Sequence, residues 1–138
     1  MRLLALAVLL VGMSSAAFAA DPPSLIGTWV PVSYAEAYAG KSGGHSDTDK
    51  PVFTRGVATA WSYVIDRQEG YAFSGASKSP TGESGSFVGV LAMDGKHFVT
   101  STGRGSHAGE LSGDQFELCW TDNVENYIGV SCAVYQRQ

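Results

Sequence analysis

The chain has little of what most enzymes and nucleic-acid binders display. It holds only 9 lysines and arginines against 13 acidic residues, a net charge of −4. Lys41, Lys50, Arg55, Arg67, Lys78, Lys96, Arg104 and Arg137 stand far apart along it. Without a cluster of positive charge, nucleic acid and anionic lipid are poor fits as partners. A Gly-x-Ser-x-Gly nucleophile elbow is lacking, and Gly82-Glu83-Ser84-Gly85 is no substitute. Ser77-Lys78 is adjacent rather than Ser-x-x-Lys. Gly103-Arg104-Gly105, running on to Gly109, misses the dinucleotide spacing, and no helical pattern follows. Glu110 and Glu117 offer two carboxylates for glycoside chemistry, but both alternate into outward positions. The residues therefore point to a non-catalytic protein with no cofactor.

Long apolar runs are also scarce. Leu3 to Gly12 has the length of a signal h-region, preceded by the positive start Met1-Arg2. Ala17-Phe18-Ala19 fits the small-x-small rule of a signal peptidase site. We expect residues 1–19 to be a signal peptide and 20–138 a single exported domain, periplasmic or secreted. The run is too short to span a bilayer, and no second one follows.

Only two cysteines are present, Cys119 and Cys132. Neither belongs to a C-x-x-C pair, so redox and zinc motifs are not indicated. In an oxidising compartment the expectation is a structural disulfide, with about 3 kcal/mol of stabilisation from the short loop it closes.

Helical periodicity is nearly absent, and β-rich runs sit between the 17 glycines instead. This is the pattern of an all-β barrel or sandwich. Strands are expected at 25–32, 57–66, 71–78, 86–92, 96–102, 106–111, 115–121 and 127–135. Their short links from the second strand onward make sequential neighbours pair antiparallel. Eight such strands relieve their edges by closing into an up-and-down meander barrel. Asp94-Gly95 is the best hairpin turn in the chain. If the last hairpin is symmetric about Glu125-Asn126, Cys119 lies opposite Cys132. Phe116, Leu118, Trp120, Ser131, Ala133 and Tyr135 then share the inner face, and the disulfide lies outside.

Residues 33–56 depart from this rhythm. Tyr34 to Tyr38 contains fair helix formers and is expected to form a helical turn. The rest is polar, and a connection this long is expected to be a loop acting as a lid or flap. Within it His45, Asp47 and Asp49 alternate, a spacing that suits a divalent ion but lacks a fourth ligand. His97 and His107 are expected on neighbouring strands, within two residues of register and on one face. Such a pair can bind metal or share a proton, though a structural role is the simpler reading. No metal site is assigned to either set.

Other inward positions are Trp29, Trp61, Tyr63, Tyr71, Phe73, Phe87, Leu91 and Val99, with Gly75, Gly89, Gly109 and Ala133 among them. Large and small residues together allow a filled barrel, or a cavity with an aromatic wall open at one end.

Gly27-Thr28-Trp29, just beyond the signal sequence, resembles the Gly-x-Trp signature of the calycin superfamily, the lipocalins and their relatives. It also resembles the Gly-Thr-Trp opening of the avidins. The resemblance implies an eight-stranded antiparallel barrel whose tryptophan packs across one end. Val30-Pro31-Val32-Ser33-Tyr34 stands where avidins carry their polar biotin set, so biotin binding is not implied.

The functional expectation is a binding protein. A small apolar or amphipathic molecule would sit among Trp29, Trp61, Tyr63, Phe73, Trp120 and Tyr135. The alternative is a periplasmic interaction module or inhibitor. It would meet an envelope protein through the 33–56 loop and the tyrosines Tyr34, Tyr38 and Tyr127.

Overall fold

A computed structural model describes residues 21–40, 48–124 and 126–138. Residues 1–19 lie outside the described residues. Nine strands form one antiparallel sheet: β1 (Gly27–Gly40), β2 (Thr48–Arg55), β3 (Ser62–Glu69), β4 (Ala72–Lys78), β5 (Ser84–Leu91), β6 (His97–Thr102), β7 (Ser106–Ser112), β8 (Gln115–Val124) and β9 (Tyr127–Arg137). From β3 to β9 each strand pairs with the next, and β1 pairs with both β3 and β9. The result is a closed eight-stranded up-and-down barrel. Asp94-Gly95 makes its expected turn, with Gly95 at φ 69° and the Asp94 carboxylate accepting from the amides of Lys96 and His97.

The ninth strand corrects the sequence reading. Residues 33–56 are not one long loop: β1 continues to Gly40, and β2 pairs back along Ala35–Gly40. The helical turn expected at Tyr34–Tyr38 is part of this strand. The helix preference of Ala35, Glu36 and Ala37 is overridden because both edges of β1 find partners, β2 on one side and β9 on the other. Residues 41–47, with His45 and Asp47, lie outside the described residues. The second expected strand is shortened in turn. Val57–Thr59 forms a 3₁₀ turn, and the strand begins only at Ser62.

A bulge sets the phase of β1. Pairing with β9 skips Val32, directly after Pro31, which has no N–H to give a ladder. The extra residue turns Trp29 inward on one side of the bulge and Tyr34, Glu36 and Tyr38 inward on the other.

One end of the interior is filled by rings. Phe116, Tyr135, Tyr63, Phe87, Phe73 and Phe98 form a closed circuit. Successive centroids lie 4.9, 5.2, 5.4, 6.4, 5.9 and 5.4 Å apart, the last step returning to Phe116. Gly89 and Gly109 face inward beneath this circuit, where the Phe73 and Phe98 rings occupy the space a side chain would need. Val99 is the exception among the expected core residues. It faces outward, 59% exposed, because its partners Val90 and Ala108 also point out.

Candidate functional site

The two ends of the barrel differ. At the closed end Trp29 packs against Phe116 with ring centroids 4.5 Å apart and planes tilted by 43°, and it is fully buried, as is Leu25. The Trp29 indole donates to the Leu25 carbonyl at 2.9 Å. The Leu25 amide in turn donates to the Gln68 side chain at 2.7 Å. The Arg137 guanidinium lies 4.6 Å above the Trp29 ring and donates to the carbonyls of Ser24 and Ile26. Residues 21–26 are thereby tied across this end.

The opposite end is polar and, among the described residues, less completely buried. Register with the buried residues of β8 and β9 turns Tyr34, Glu36, Tyr38, Trp120, Asp122 and Ser131 inward, yet all six are only partly buried. Thr54 donates to the Glu36 carboxylate at 3.1 Å. Burial first and the Glu36 charge second raise the Tyr34 phenol, which also bonds Ser131. Tyr127 lies under Tyr38, with ring centroids 6.3 Å apart and planes near parallel. Its phenol is pushed up to about 12, chiefly by burial and then by Glu36 and Asp122. Two carboxylates and a set of phenols thus share the rim.

His107 joins the polar end to the ring circuit. It is 9% exposed, shares a hydrogen bond with Thr100 Oγ1 at 3.1 Å, and stacks beside Trp120 at 6.3 Å. Burial holds its pKa down at about 4, so the imidazole is neutral at physiological pH. Tyr63 meets it edge-on at 6.5 Å. The Tyr63 phenol is pushed up to about 12, again mainly by burial.

The six residues expected to hold a ligand divide between these environments. Trp29, Tyr63, Phe73 and Tyr135 lie in the packed rings. Trp61, directly before β3, and Trp120 are half-buried and meet the open end. Tyr34, Glu36, Asp122 and His107 belong to that end and were missed as ligand contacts. The available signal was the alternation of Tyr34, Glu36 and Tyr38 with alanines, a two-residue period.

The two histidines do not share a face. His97 pairs with Glu110, and His107 with Thr100. The register is offset by one residue from that expected, which puts His97 outside and His107 inside. His97 Nδ1 lies 2.6 Å from Asp94, which raises its pKa and holds the Asp94 carboxyl down at about 2. Glu110 stands 4.0 Å from the other ring nitrogen.

Cys119 and Cys132 are disulfide-bonded at directly opposed positions of β8 and β9, on the outer face as expected. Among the described residues, the one grouping of three metal-ligating side chains is Glu117 with these two cysteines, whose sulfurs are already bonded to each other. No helix among the described residues is long and apolar enough to cross a membrane. No protein-family model matches the chain, and no curated protein sequence does.

Proposed function

We propose that this is an exported, non-catalytic binding protein of calycin-like build that holds a small amphipathic molecule in the open end of its barrel. One observation carries the reading. Tyr34, Glu36, Tyr38, Trp120, Asp122 and Ser131 face inward at that end and are only partly buried, while Leu25, Trp29 and Phe116 at the other end are sealed. Trp120, Trp61 and Tyr34 offer flat apolar surface to the body of such a molecule. Glu36 and Asp122 offer polar groups to its head. The disulfide is consistent with an oxidising compartment. Trp29 at the closed end of an antiparallel meander is consistent with the calycin resemblance.

The interaction-module alternative loses support, because Tyr34 and Tyr38 face inward and Tyr127 is 2% exposed.

Native mass spectrometry of protein purified gently from its own compartment tests the proposal. A discrete added mass, lost on denaturation and lost in Trp120→Ala, is the expected result. Bare protein mass, together with tryptophan fluorescence indifferent to a panel of lipids and amphipathic metabolites, overturns it. N-terminal sequencing beginning at Ala20 is expected if the leader is removed as proposed.

A further inference from the structure

The polar end of the barrel constrains the head group of anything bound there. Cross-strand register aligns its inward residues into rows. Glu36, Ser131, Trp120, His107 and Thr100 stand opposite one another in turn across β1, β9, β8, β7 and β6. One row nearer the rim, Tyr38 and Asp122 both pair with Gly129, from β1 and from β8. Gly129 sends no side chain between them. The Tyr127 phenol lies over it instead, only 2.6 Å from where a methyl group would stand. Glu36 and Asp122 both raise that phenol, so the two carboxylates act on one shared space.

The inward charges in this space are of one sign. Glu36 and Asp122 are partly buried, whereas Lys50, Arg55, Lys78 and Arg104, the described lysines and arginines of this end, are exposed. Arg104 stands on the turn between β6 and β7, and among the described residues no ion pair joins it to Asp122.

Rings and a buried imidazole complete the lining. Tyr34, Tyr38 and Trp120 are half-buried and face the same interior. The face of an aromatic ring carries negative potential and attracts a cation. His107 is only 9% exposed, and its Nδ1 is engaged by Thr100. Its Nε2 meets no partner among the described residues. Buried polar groups are paired as a rule, and this nitrogen, beside Trp120 on the inward row, is left for a group from outside the chain.

We propose that the ligand of this end is an organic cation, an ammonium group on an apolar body, with Glu36 and Asp122 holding the head and Trp120 the body. The inference rests on the binding reading above and adds the sign of the head group. Opposite charges attract more strongly in a partly buried site than in open water. A carboxylate head would meet Glu36 and Asp122 as a like charge with no inward cation to offset them, so fatty acids fit poorly. An uncharged head keeps the apolar contacts and loses the ionic ones.

Isothermal titration calorimetry of the mature, oxidised protein with octylammonium, octanol and octanoate tests this, because the three share a tail and differ in head charge. Octylammonium is expected to bind at least about tenfold tighter than octanol, with octanoate weakest. Glu36→Gln and Asp122→Asn should each weaken octylammonium at least about fivefold and leave octanol unchanged. Unchanged near-UV circular dichroism identifies folded variants. Glu110→Gln, on the outer wall, should bind all three like the parent. Octylammonium that fails to bind, or binds no tighter than octanol or octanoate, overturns the cationic head, as does binding indifferent to both carboxamide variants. Binding of octanol or octanoate in that case leaves the pocket reading standing. Silence from all three and from the fluorescence panel removes that reading as well.

Discussion

His107 and Thr100 stand directly opposite each other inside the barrel, Nδ1 to Oγ1 at 3.1 Å, and the imidazole is neutral there because burial disfavours its charge. Its folded pKa of about 4 lies below the ordinary value of 6.5. Between these values the unfolded chain binds the extra proton, so acidification favours unfolding. Its stabilising contribution is present above pH 6.5 and lost as pH falls through about 4. Each pKa unit is worth about 1.4 kcal/mol, and partial solvent contact reduces the total to the order of 2 kcal/mol. Urea titrations at stepped pH should show this slope in the parent and lose it in His107→Gln.

His97 should behave in the opposite sense. Its pKa is raised by the Asp94 carboxylate, so its contribution is present at acid pH and lost as pH rises through the raised value. An NMR titration is expected to place His97 above the usual histidine range and His107 well below it. Asp94→Asn should return His97 toward its ordinary value and leave His107 unmoved.

The ring circuit predicts intolerance at two glycines. A methyl group at Gly89 would enter the Phe73 ring, and one at Gly109 the Phe98 ring. Gly89→Ala and Gly109→Ala should each cost about 1–3 kcal/mol in chemical denaturation. Phe73→Leu in the Gly89→Ala background should recover part of that loss, a non-additivity expected of groups in direct contact.

Removing the disulfide should weaken the barrel without opening it. Cys119→Ala with Cys132→Ala is expected to lower stability by about 3 kcal/mol and to leave the far-UV spectrum unchanged. Loss of β structure in the double variant would show that the cross-link is needed for folding itself.

The last hairpin was legible because two constraints agree there. Alternation puts Phe116, Leu118 and Trp120 on one face, and the cysteine pair fixes the register, which runs unbroken from Gln115–Gln136 to Val124–Tyr127. The first hairpin was not. Alanines that read locally as helix formers lie on the outside of β1, and only partners far away in the chain select the extended form. The phase of β1 also depends on the Val32 bulge, which composition does not announce. His97 and His107 failed for a related reason: one residue of register decides which side of a sheet a group occupies. The closed end was readable from Gly27-Thr28-Trp29. The polar end was hidden because its tyrosines and carboxylates come from strands that meet only after closure.

That closure predicts an order of events in folding. Trp29 pairs with Arg137, and Gly40 with Tyr127, so the β1–β9 ladder, unlike the pairing of β1 with β2 and β3, spans most of the chain. The β3-to-β9 hairpins can zip locally, but sealing β1 against β9 pays a large loop entropy late. Until then Trp29, Phe116 and Tyr135 are bare to water, and two open strand edges invite other chains. A nascent molecule in that interval is the species most exposed to aggregation and to proteases.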